Sequence, residues 1–578
     1  MQLHRALLWV FLSLTALFYG VIFAGQVLGL LKLYSVGLAV LVSLLCGGLV
    51  FYLLAANRRW FAFLEVDDTA LSGNFTQNLL NVSLAWLGLT LFIVLALYPL
   101  ARWPFSPISQ NLNWDAGLYH FPKAIEMLST GSAWDMTIDY GEYPFGYESL
   151  LALAFGLNHD GYLLGLTHAL IALYFLLAWW LVMARFTRLP HGLIVFLIAL
   201  LTLSRLYLPK NDHNIWWILW TQVILIGKND LLLGAILLSI ALFTPAGEEN
   251  GQPTYLPGLA VSSMLALSVK PNAALLVGFA WGAGLFFLAR SQGFKTAIKT
   301  QAWHVLLVVP GLLWAFRNLI AMNSLFKDRA ARLSSWSIAA NLTNPYFYEH
   351  IPAQFYLVLG ISLVSTLAAL SWEKIRLPAL IGLVLLLTFA LTPASAFLGN
   401  NQQPTQIAWR FAVGLLACQA VLLLILLGPV VRAVYVWAAP RWVFAALILA
   451  LAAGLGAFGV WSNRRLLEYK PGGDLVLRDQ FEEPVGVNGY FSAYDYVQKN
   501  VRNATVIVEN GLPYYLYDEN LTNTVTRSQD ADYFVAFQTA WVKGRQKGYP
   551  EMIFQPEFEQ NWGLVYEDSE GRVYKRKP

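Results

Sequence analysis

A cluster of reactive side chains follows the third long apolar run of this sequence. The segment NWDAGLYHFPKAIEML contains a carboxylate, a phenol, an imidazole and an ammonium group, at Asp115, Tyr119, His120 and Lys123. The apolar run before it, near residues 81–101, is long enough to deliver these groups to a membrane surface. Ionisable groups beside hydrocarbon are costly to desolvate, so their presence there indicates a function. An acid at the mouth of a membrane cavity favours chemistry on a lipid-linked substrate.

The composition places the chain in a membrane. Of its 578 residues, 57% are hydrophobic and 12% are charged, whereas soluble domains average roughly 25% charged residues. A soluble core cannot hide so many apolar residues, and the sequence predicts a polytopic α-helical membrane protein. The net charge of +4 comes from basic residues in short loops, which indicates membrane topology and no nucleic-acid partner. The two cysteines, Cys46 and Cys418, lie inside apolar runs and cannot build a disulfide framework or a zinc site.

About thirteen apolar runs are long enough to cross, or nearly cross, about 30 Å of hydrocarbon. They lie near residues 6–28, 34–56, 81–101, 161–184, 191–206, 229–245, 257–269, 272–290, 302–320, 353–370, 377–396, 407–428 and 442–461. The first run is too long for a signal peptide and is predicted to stay as a helix. Arg and Lys concentrate in alternate loops, which should therefore be cytoplasmic. An odd number of spans then leaves the chain after Trp461 on the outer face.

The same topology divides the chain into two domains. Residues 1–463 are predicted to form a transmembrane catalytic domain with a large outer loop at 102–160. Residues 464–578 are predicted to form a small extracytoplasmic α/β domain. Within the outer loop, Pro122 suits a first helical turn, so PKAIEMLST predicts a short helix that ends at Gly131 and lies along the membrane surface.

The polar tail has the pattern of a small α/β domain. AYDYVQKNV has helical spacing, while TVIVENG and YFVAF are apolar runs of the length and composition of strands. The segment WGLVYEDSEGRVYKR predicts a hairpin that turns between Asp568 and Gly571.

The order of these features resembles the GT-C superfamily of membrane glycosyltransferases, which take sugars from polyprenyl- or dolichyl-phosphate carriers. Within that superfamily it is most similar to bacterial members related to protein mannosyltransferases and aminoarabinose transferases. The stretch WDAGLYHFPKAIE is similar to the D…YH.P signature of the first large outer loop, where Asp115 occupies the position of the catalytic acid. Many relatives have two adjacent acids there, whereas Ala116 follows Asp115 in this chain.

Five further stretches resemble family motifs, and all of them fall on the predicted outer face. They are YGEYPFGYESL, GKNDLLLGAILL, LSVKPNAAL, LLWAFRNLIAMNSLF and QIAWRF. Together with the first stretch they contain the substrate-binding residues that the resemblance implies, namely Tyr119, His120, Lys123, Glu142, Tyr143, Glu148, Lys228, Asp230, Lys270, Arg317, Gln406 and Arg410.

The resemblance implies a hexosyl- or pentosyltransferase in a bacterial plasma (inner) membrane, with its site on the outer face. The donor would be a polyprenyl-phosphate sugar, and the acceptor a hydroxyl group of a glycan, a lipid or a protein. A carboxylate within hydrogen-bond reach of that hydroxyl suits a general base, which makes Asp115 the candidate. A single displacement would invert the anomeric centre. The departing phosphate needs cations, and the candidates are Lys228, Lys270, Arg317 and Arg410.

The sequence demands no cofactor. The lipid phosphate is already a good leaving group, and neither a Walker loop nor a dinucleotide fingerprint occurs. A divalent cation is the one cofactor left open, with His120, Glu142 and Glu148 as candidate ligands.

Structural interpretations of the same residues stay open. Asp115 would order its loop by pairing with Lys123, and Asp230 would pair with Lys228. Arginine side chains at helix ends also reach lipid headgroups. Three rival functions are a lipid-linked glycan ligase or polymerase, a transporter or flippase, and a scaffold without catalytic activity. The early position of the large outer loop disfavours the first rival, and the lack of an inverted repeat disfavours the second.

Overall fold

Long apolar helices make up most of the chain before residue 463. The computed structural model describes residues 3–64, 75–101, 115–159, 162–187, 189–203, 219, 223, 226–246, 254–327, 337–339, 343, 353–391, 410–462, 490–509, 512–526, 530–537, 549–568 and 571–578. Within these ranges a helical membrane domain is followed by a small domain built on a β-sheet.

The helices of the membrane domain lie at the predicted apolar runs, with two additional helices in the predicted outer loop. In chain order they are α1 (Leu3–Leu30), α2 (Val36–Ala56), α3 (Phe75–Ala101), α4 (Phe121–Thr130), α5 (Gly146–Leu157), α6 (Tyr162–Thr187), α7 (His191–Leu203), α8 (Asp230–Phe243), α9 (Leu256–Val269), α10 (Ala274–Gln292), α11 (Phe294–Val305), α12 (Leu313–Met322), α13 (Ala353–Ser371), α14 (Glu373–Ala390), α15 (Val413–Ala438) and α16 (Trp442–Ser462).

Among the described residues, seven helices are long and apolar enough to cross a membrane, or eight if the bent pair α11 and α12 counts as one span. The shorter apolar helices include α5, α7, α8 and α9, each of 10–17 residues. A helical membrane protein is therefore confirmed, while the number of thirteen spans stays a prediction.

The apolar run predicted near residues 302–320 is not one straight helix in the structure. The chain there forms α11 and a second helical segment, Val309–Met322, with axes bent by 66°. Pro310 lies in the 3-10 turn Val309–Leu312 at the start of the second segment and has no N–H to continue the helical hydrogen bonds. The adjacent Gly311 packs so closely on α9 that a Cβ atom there would lie 2.6 Å from the Met264 carbonyl oxygen. The bend thus follows from a helix breaker and a close backbone contact.

The outer surface of the helices is apolar, as a lipid-facing surface must be. On α2, Leu44 and Leu45 are 68% and 66% exposed, while Ser43 and Gly47 on the other face are buried against α1. A helix with exposed leucines on one face and small or polar residues on its buried face is typical of a membrane span at the rim of a helix bundle.

Helix α5 is held by close contacts at two points. A Cβ atom at Gly25 of α1 would lie 2.1 Å from the Ser149 hydroxyl oxygen, and one at Gly146 would lie 2.6 Å from the Ser268 carbonyl oxygen of α9. Such contacts leave no room for larger residues. They fix the position of Glu148, which lies in the first turn of α5 between the two contacts.

The C-terminal domain is a five-stranded mixed sheet with the order β2-β1-β3-β5-β4. Its elements are α17 (Tyr490–Asn500), β1 (Thr505–Glu509), β2 (Thr524–Thr526), β3 (Tyr533–Phe537), α18 (Pro556–Asn561), β4 (Trp562–Glu567) and β5 (Gly571–Arg576). Strand β1 runs parallel to β2 and β3, whereas β5 is antiparallel to β3 and β4. The predicted helix, strands and final hairpin are confirmed, and the short strand β2 was not predicted.

The two domains meet at the predicted outer loop. A 3-10 turn, Pro513–Leu516, lies between β1 and β2 and packs on the start of α4. The rings of Tyr514 and Phe121 meet edge to face with centroids 4.9 Å apart. The predicted surface helix α4 is consequently covered by the C-terminal domain, and its residues 121–127 are buried.

Candidate functional site

Asp115 opens the helix that contains the first group of predicted site residues. A π-helical turn, Ala116–His120, leads from it into α4, and π-helical turns are frequent at functional sites. Pro122 occupies the first turn of α4, and Gly131 ends it with φ of +69°, a conformation that favours glycine. The predicted end of this helix is confirmed. Asp115 is half-buried at its start.

Glu148 joins two of these residues in a buried cluster. Its Oε1 atom lies 2.8 Å from His120 Nδ1 and 3.2 Å from Lys123 Nζ, and the three side chains are at most 6% exposed. Burial alone raises the pKa of Glu148, but the Lys123 ammonium and His120 outweigh it and lower the pKa to about 2. Burial lowers the pKa of Lys123, and the Glu148 carboxylate opposes that change. We call these three residues the Glu148 cluster.

The carboxylate fixes the proton of the imidazole. An ionised carboxylate only accepts hydrogen bonds, so His120 Nδ1 must donate to Glu148. The ring itself is held between Tyr119 and Tyr147, with centroid distances of 4.1 Å and 5.1 Å. The orientation of His120 is therefore fixed, with Nδ1 as a donor.

Two buried cations hold the loop between α4 and α5, which we call the outer-loop segment (residues 131–145). Lys123 Nζ lies 3.4 Å from the carbonyl oxygens of Tyr140, Tyr143 and Pro144. The Arg317 guanidinium donates to carbonyl oxygens of the same segment, to Ala133 at 2.6 Å and Gly141 at 2.8 Å. These contacts fix the backbone conformation of the outer-loop segment.

Asn318 completes this support. Its Nδ2 atom donates to the carbonyl oxygen of Glu142 at 2.5 Å, and its Oδ1 atom accepts from Arg317 at 2.9 Å. Arg317 is only 2% exposed. A phosphate contact by Arg317 stays a prediction, because its described hydrogen bonds all go to the loop backbone and Asn318.

Tyr140 has an unusual backbone in this segment. Its φ is +54°, in the left-handed region, which costs a residue with a Cβ atom about 1–3 kcal/mol. Its side chain is 39% exposed. The ring lies between those of Tyr119 and Tyr143, with centroid distances of 4.8 Å and 5.2 Å. Sequence reasoning missed Tyr140, although the Tyr-Gly pair in YGEY is a turn signal that points to it.

The second group of predicted residues begins at α8. Asp230 opens this helix, and its carboxylate forms an ion pair with the Lys270 ammonium. The Asp230 side chain is 3% exposed and that of Lys270 is 19% exposed. The Lys270 Nζ atom also lies 4.1 Å from the centroid of the Phe411 ring. An ammonium group near a carboxylate and an aromatic face is stabilised in its charged form.

The two groups meet through the turn before α8. Gly227 has a φ of +89°, and a Cβ atom there would lie 2.2 Å from the Cβ atom of Ala116, the neighbour of Asp115. Only glycine suits this position. The structure thereby brings Lys228, which is buried, to the same neighbourhood as Asp115.

The last two predicted residues are only partly defined. Gln406 lies outside the described residues. Arg410 begins the turn Arg410–Ala412, next to the Phe411 ring that faces Lys270, but its side chain is outside the described part of the chain.

The C-terminal domain forms one wall of this region. A Cβ atom at Gly117 would lie 3.1 Å from the Leu512 side chain. The Tyr517 hydroxyl donates to Glu126 Oε1 at 2.8 Å, and burial raises the pKa of Glu126. Neither Glu126 nor Tyr517 was predicted, because nothing local in the sequence relates the two.

The described residues offer poor ligands for a divalent cation. Within the described ranges, no three His, Cys, Asp or Glu side chains are grouped in a way that suits a metal ion. Glu148, one of the candidate ligands, is paired with Lys123 and His120.

Comparison with known proteins does not assign the chain to a family. No protein-family model matches the sequence, and no match was found among curated proteins. The resemblance to GT-C enzymes thus stays a prediction, and the function must be argued from the site.

Proposed function

We propose that the protein is a membrane glycosyltransferase of the plasma (bacterial inner) membrane. It moves a sugar from a polyprenyl-phosphate donor to a hydroxyl acceptor on the outer face. One observation carries the proposal: the helix that starts at Asp115 touches the turn that contains Lys228, next to the Asp230–Lys270 pair. The contact between Gly227 and Ala116 thus brings the start of the Asp115 helix to the chain segment that contains Lys228 and Asp230.

The acid has the role of general base. In the proposed reaction the acceptor oxygen bonds to the anomeric carbon, and the bond from that carbon to the phosphate oxygen breaks. The acceptor proton passes to the carboxylate of Asp115, and polyprenyl phosphate leaves. A half-buried carboxylate at a domain boundary is accessible to an acceptor yet partly shielded from water. A single displacement of this kind inverts the anomeric centre.

The cations stabilise the negative charge on the leaving phosphate. Lys270 is suited to this because its side chain is partly accessible while Asp230 and the Phe411 ring orient its ammonium. Lys228 would add a second charge from the turn that contacts Ala116, the neighbour of Asp115. Preorganised charges in a site with little water are the largest contribution to many enzymatic rate enhancements.

The Glu148 cluster has a supporting role in this proposal. It orients His120 and, through Lys123, fixes the outer-loop segment. The C-terminal domain covers α4 and excludes water from the same side.

The test is turnover of synthetic polyprenyl-phosphate sugars by the purified protein in lipid nanodiscs. Asp115→Asn should lower turnover by a factor of roughly 10²–10⁴, the usual contribution of a general base. Asp135→Asn is the matched control, because it removes a carboxylate from the same loop and keeps a side-chain oxygen that accepts from the Thr137 N–H. Equal turnover by the parent protein and Asp115→Asn would remove the basis of the proposal.

A further inference from the structure

We propose that Tyr119, Tyr140 and Tyr143 form a platform that binds the sugar ring of the lipid-linked donor, with Tyr140 at its centre. We call these three residues the tyrosine platform. The inference rests on the proposed function and deepens it, because it states which part of the donor the outer-loop segment recognises.

The platform is a continuous aromatic surface beside the acid. The Tyr140 ring lies 4.8 Å from Tyr119 and 5.2 Å from Tyr143, measured between centroids. Tyr140 is 39% exposed, while its two neighbours are half-buried and support it. Tyr119 follows Asp115 by one helical turn, so the surface starts next to the candidate base.

Hydrogen bonds hold the backbone of Tyr140 in a conformation that leaves its ring exposed. Its carbonyl oxygen accepts from the Tyr143 N–H at 3.0 Å and faces Lys123 Nζ at 3.4 Å. The next carbonyl oxygen, of Gly141, accepts from Arg317 at 2.8 Å. Two buried cations thus maintain a left-handed tyrosine whose ring is exposed. Strained residues that the surrounding structure fixes in this way are concentrated at ligand sites.

The chemistry of the platform suits a sugar. One face of a sugar ring has C–H bonds, and its edge has hydroxyl groups. Tyrosine offers an apolar ring face and a hydroxyl that donates and accepts, so a group of neighbouring tyrosines matches both parts. Hydrophobic residues with a few placed polar groups are typical of small-molecule sites.

The surroundings of the platform exclude the isoprenoid tail as its occupant. The outer-loop segment exposes polar groups close to Tyr140. Asp135 accepts from the N–H and the hydroxyl of Thr137, both at 2.7 Å, at an exposed position. A hydrocarbon chain would desolvate these groups at a cost and gain little burial. The anomeric carbon must come within reach of Asp115, so the donor's sugar has to lie beside the platform while the tail runs to the bilayer.

The strained backbone of Tyr140 allows a sharp test. Tyr140→Gly removes the ring but suits the left-handed backbone, so it should fold at least as well as the parent protein. Tyr140→Phe keeps the ring. Tyr356→Ala is the control, because it removes a tyrosine that is 59% exposed on α13, outside the outer-loop segment.

The measurement is the dissociation constant in nanodiscs for two ligands, a polyprenyl-phosphate sugar and the sugar-free polyprenyl phosphate of equal chain length. Tyr140→Gly should weaken binding of the sugar-bearing lipid roughly two- to tenfold, the range expected for one aromatic contact. Binding of the sugar-free lipid should not change. Tyr140→Phe keeps the ring and loses only the hydroxyl, so it should weaken binding of the sugar-bearing lipid less than Tyr140→Gly does. Tyr356→Ala should bind both ligands like the parent.

Two results would overturn the platform. Equal weakening for both lipids would assign the ring to the phosphate or the tail, and unchanged binding of both would leave it without a ligand role. Both results presuppose a parent protein that binds and turns over the donor. A parent that does neither would overturn the proposed function itself, so the two failures are distinguishable.

Discussion

The membrane domain contains two buried ionic groups that differ in how many partners their charged side chains have and in how far these side chains are exposed. In the Glu148 cluster the carboxylate is shared by His120 and Lys123, and Lys123 also faces three loop carbonyl oxygens. In the Asp230–Lys270 pair the lysine side chain stays 19% exposed. The contacts of the Glu148 cluster are those of a structural support. The Asp230–Lys270 pair keeps part of the Lys270 side chain accessible to a substrate, so the burial of a charged group does not by itself identify a catalytic residue.

Breaking the Glu148 cluster should give the largest effect. Glu148→Ala leaves the Lys123 ammonium buried without its carboxylate, and the loss of one partner of a buried ion pair typically costs 3–5 kcal/mol. The measurement is the free energy of unfolding in detergent. Glu373→Ala is the control, because Glu373 is 85% exposed and pairs with Arg376 at 3.8 Å. Similar losses in both variants would mean that the cluster is not a scaffold.

Neutralising the Asp230–Lys270 pair should affect activity more than stability. The double variant Asp230→Asn, Lys270→Met removes both charges and leaves neither group unpaired, so the protein should stay folded. Turnover of the polyprenyl-phosphate sugar should fall roughly 10²–10³-fold, the usual loss when one preorganised stabilising group is removed. Parent-like turnover in the double variant would show that the accessible lysine is not needed for the phosphate.

Replacing Arg317 by lysine should loosen the outer-loop segment. The guanidinium reaches the carbonyl oxygens of Ala133 and Gly141 at once, which a single ammonium cannot do. We expect a loss of about 1–3 kcal/mol and faster hydrogen exchange over residues 131–145. Arg376→Lys, at an exposed position on α14, is the control. Unchanged exchange in Arg317→Lys would contradict the support that we assign to this residue.

The smallest expected effect is a pH dependence of the contact between the domains. Burial raises the pKa of Glu126, so over the range just above its ordinary value the folded protein binds a proton that the unfolded chain has released. The free energy of unfolding should therefore fall as pH rises through this range. Hydrogen exchange over residues 512–526 should accordingly be faster at about pH 8 than at about pH 5, beyond the intrinsic effect of pH.

Glu126→Gln tests this directly, since glutamine does not titrate and still accepts from the Tyr517 hydroxyl. This variant should lose the pH dependence and keep the contact. Tyr517→Phe should keep the packing and cost about 1 kcal/mol. A pH dependence that survives in Glu126→Gln would have to come from another group.

Local signals in the sequence predicted the elements of this fold well. Pro122 and Gly131 mark the start and end of α4, and the final hairpin follows from its turn residues, because these effects act within a few residues. Strand β2 has three residues, too few to form a pattern, and was missed. The bend at Pro310 was missed because apolar composition predicted one long span.

The partners within the site could not be predicted from local signals. Asp230 and Lys270 are separated by 40 positions, and Arg317 and Ala133 by 184. The sequence motifs named Asp230, Lys270 and Arg317 but gave no means of pairing them. Tyr140 depends on a backbone conformation that only the surrounding structure enforces. The sequence thus indicated the candidate residues, whereas the contacts between them depend on tertiary packing.

The hydrogen bond between Glu126 and Tyr517 joins residues that are 391 positions apart. The residues up to Tyr517 have to be synthesised before this bond can form. The helices that precede it in the chain are therefore made while the Glu126 carboxyl still lacks this partner. Chains truncated before Tyr517 would lack this contact between the domains.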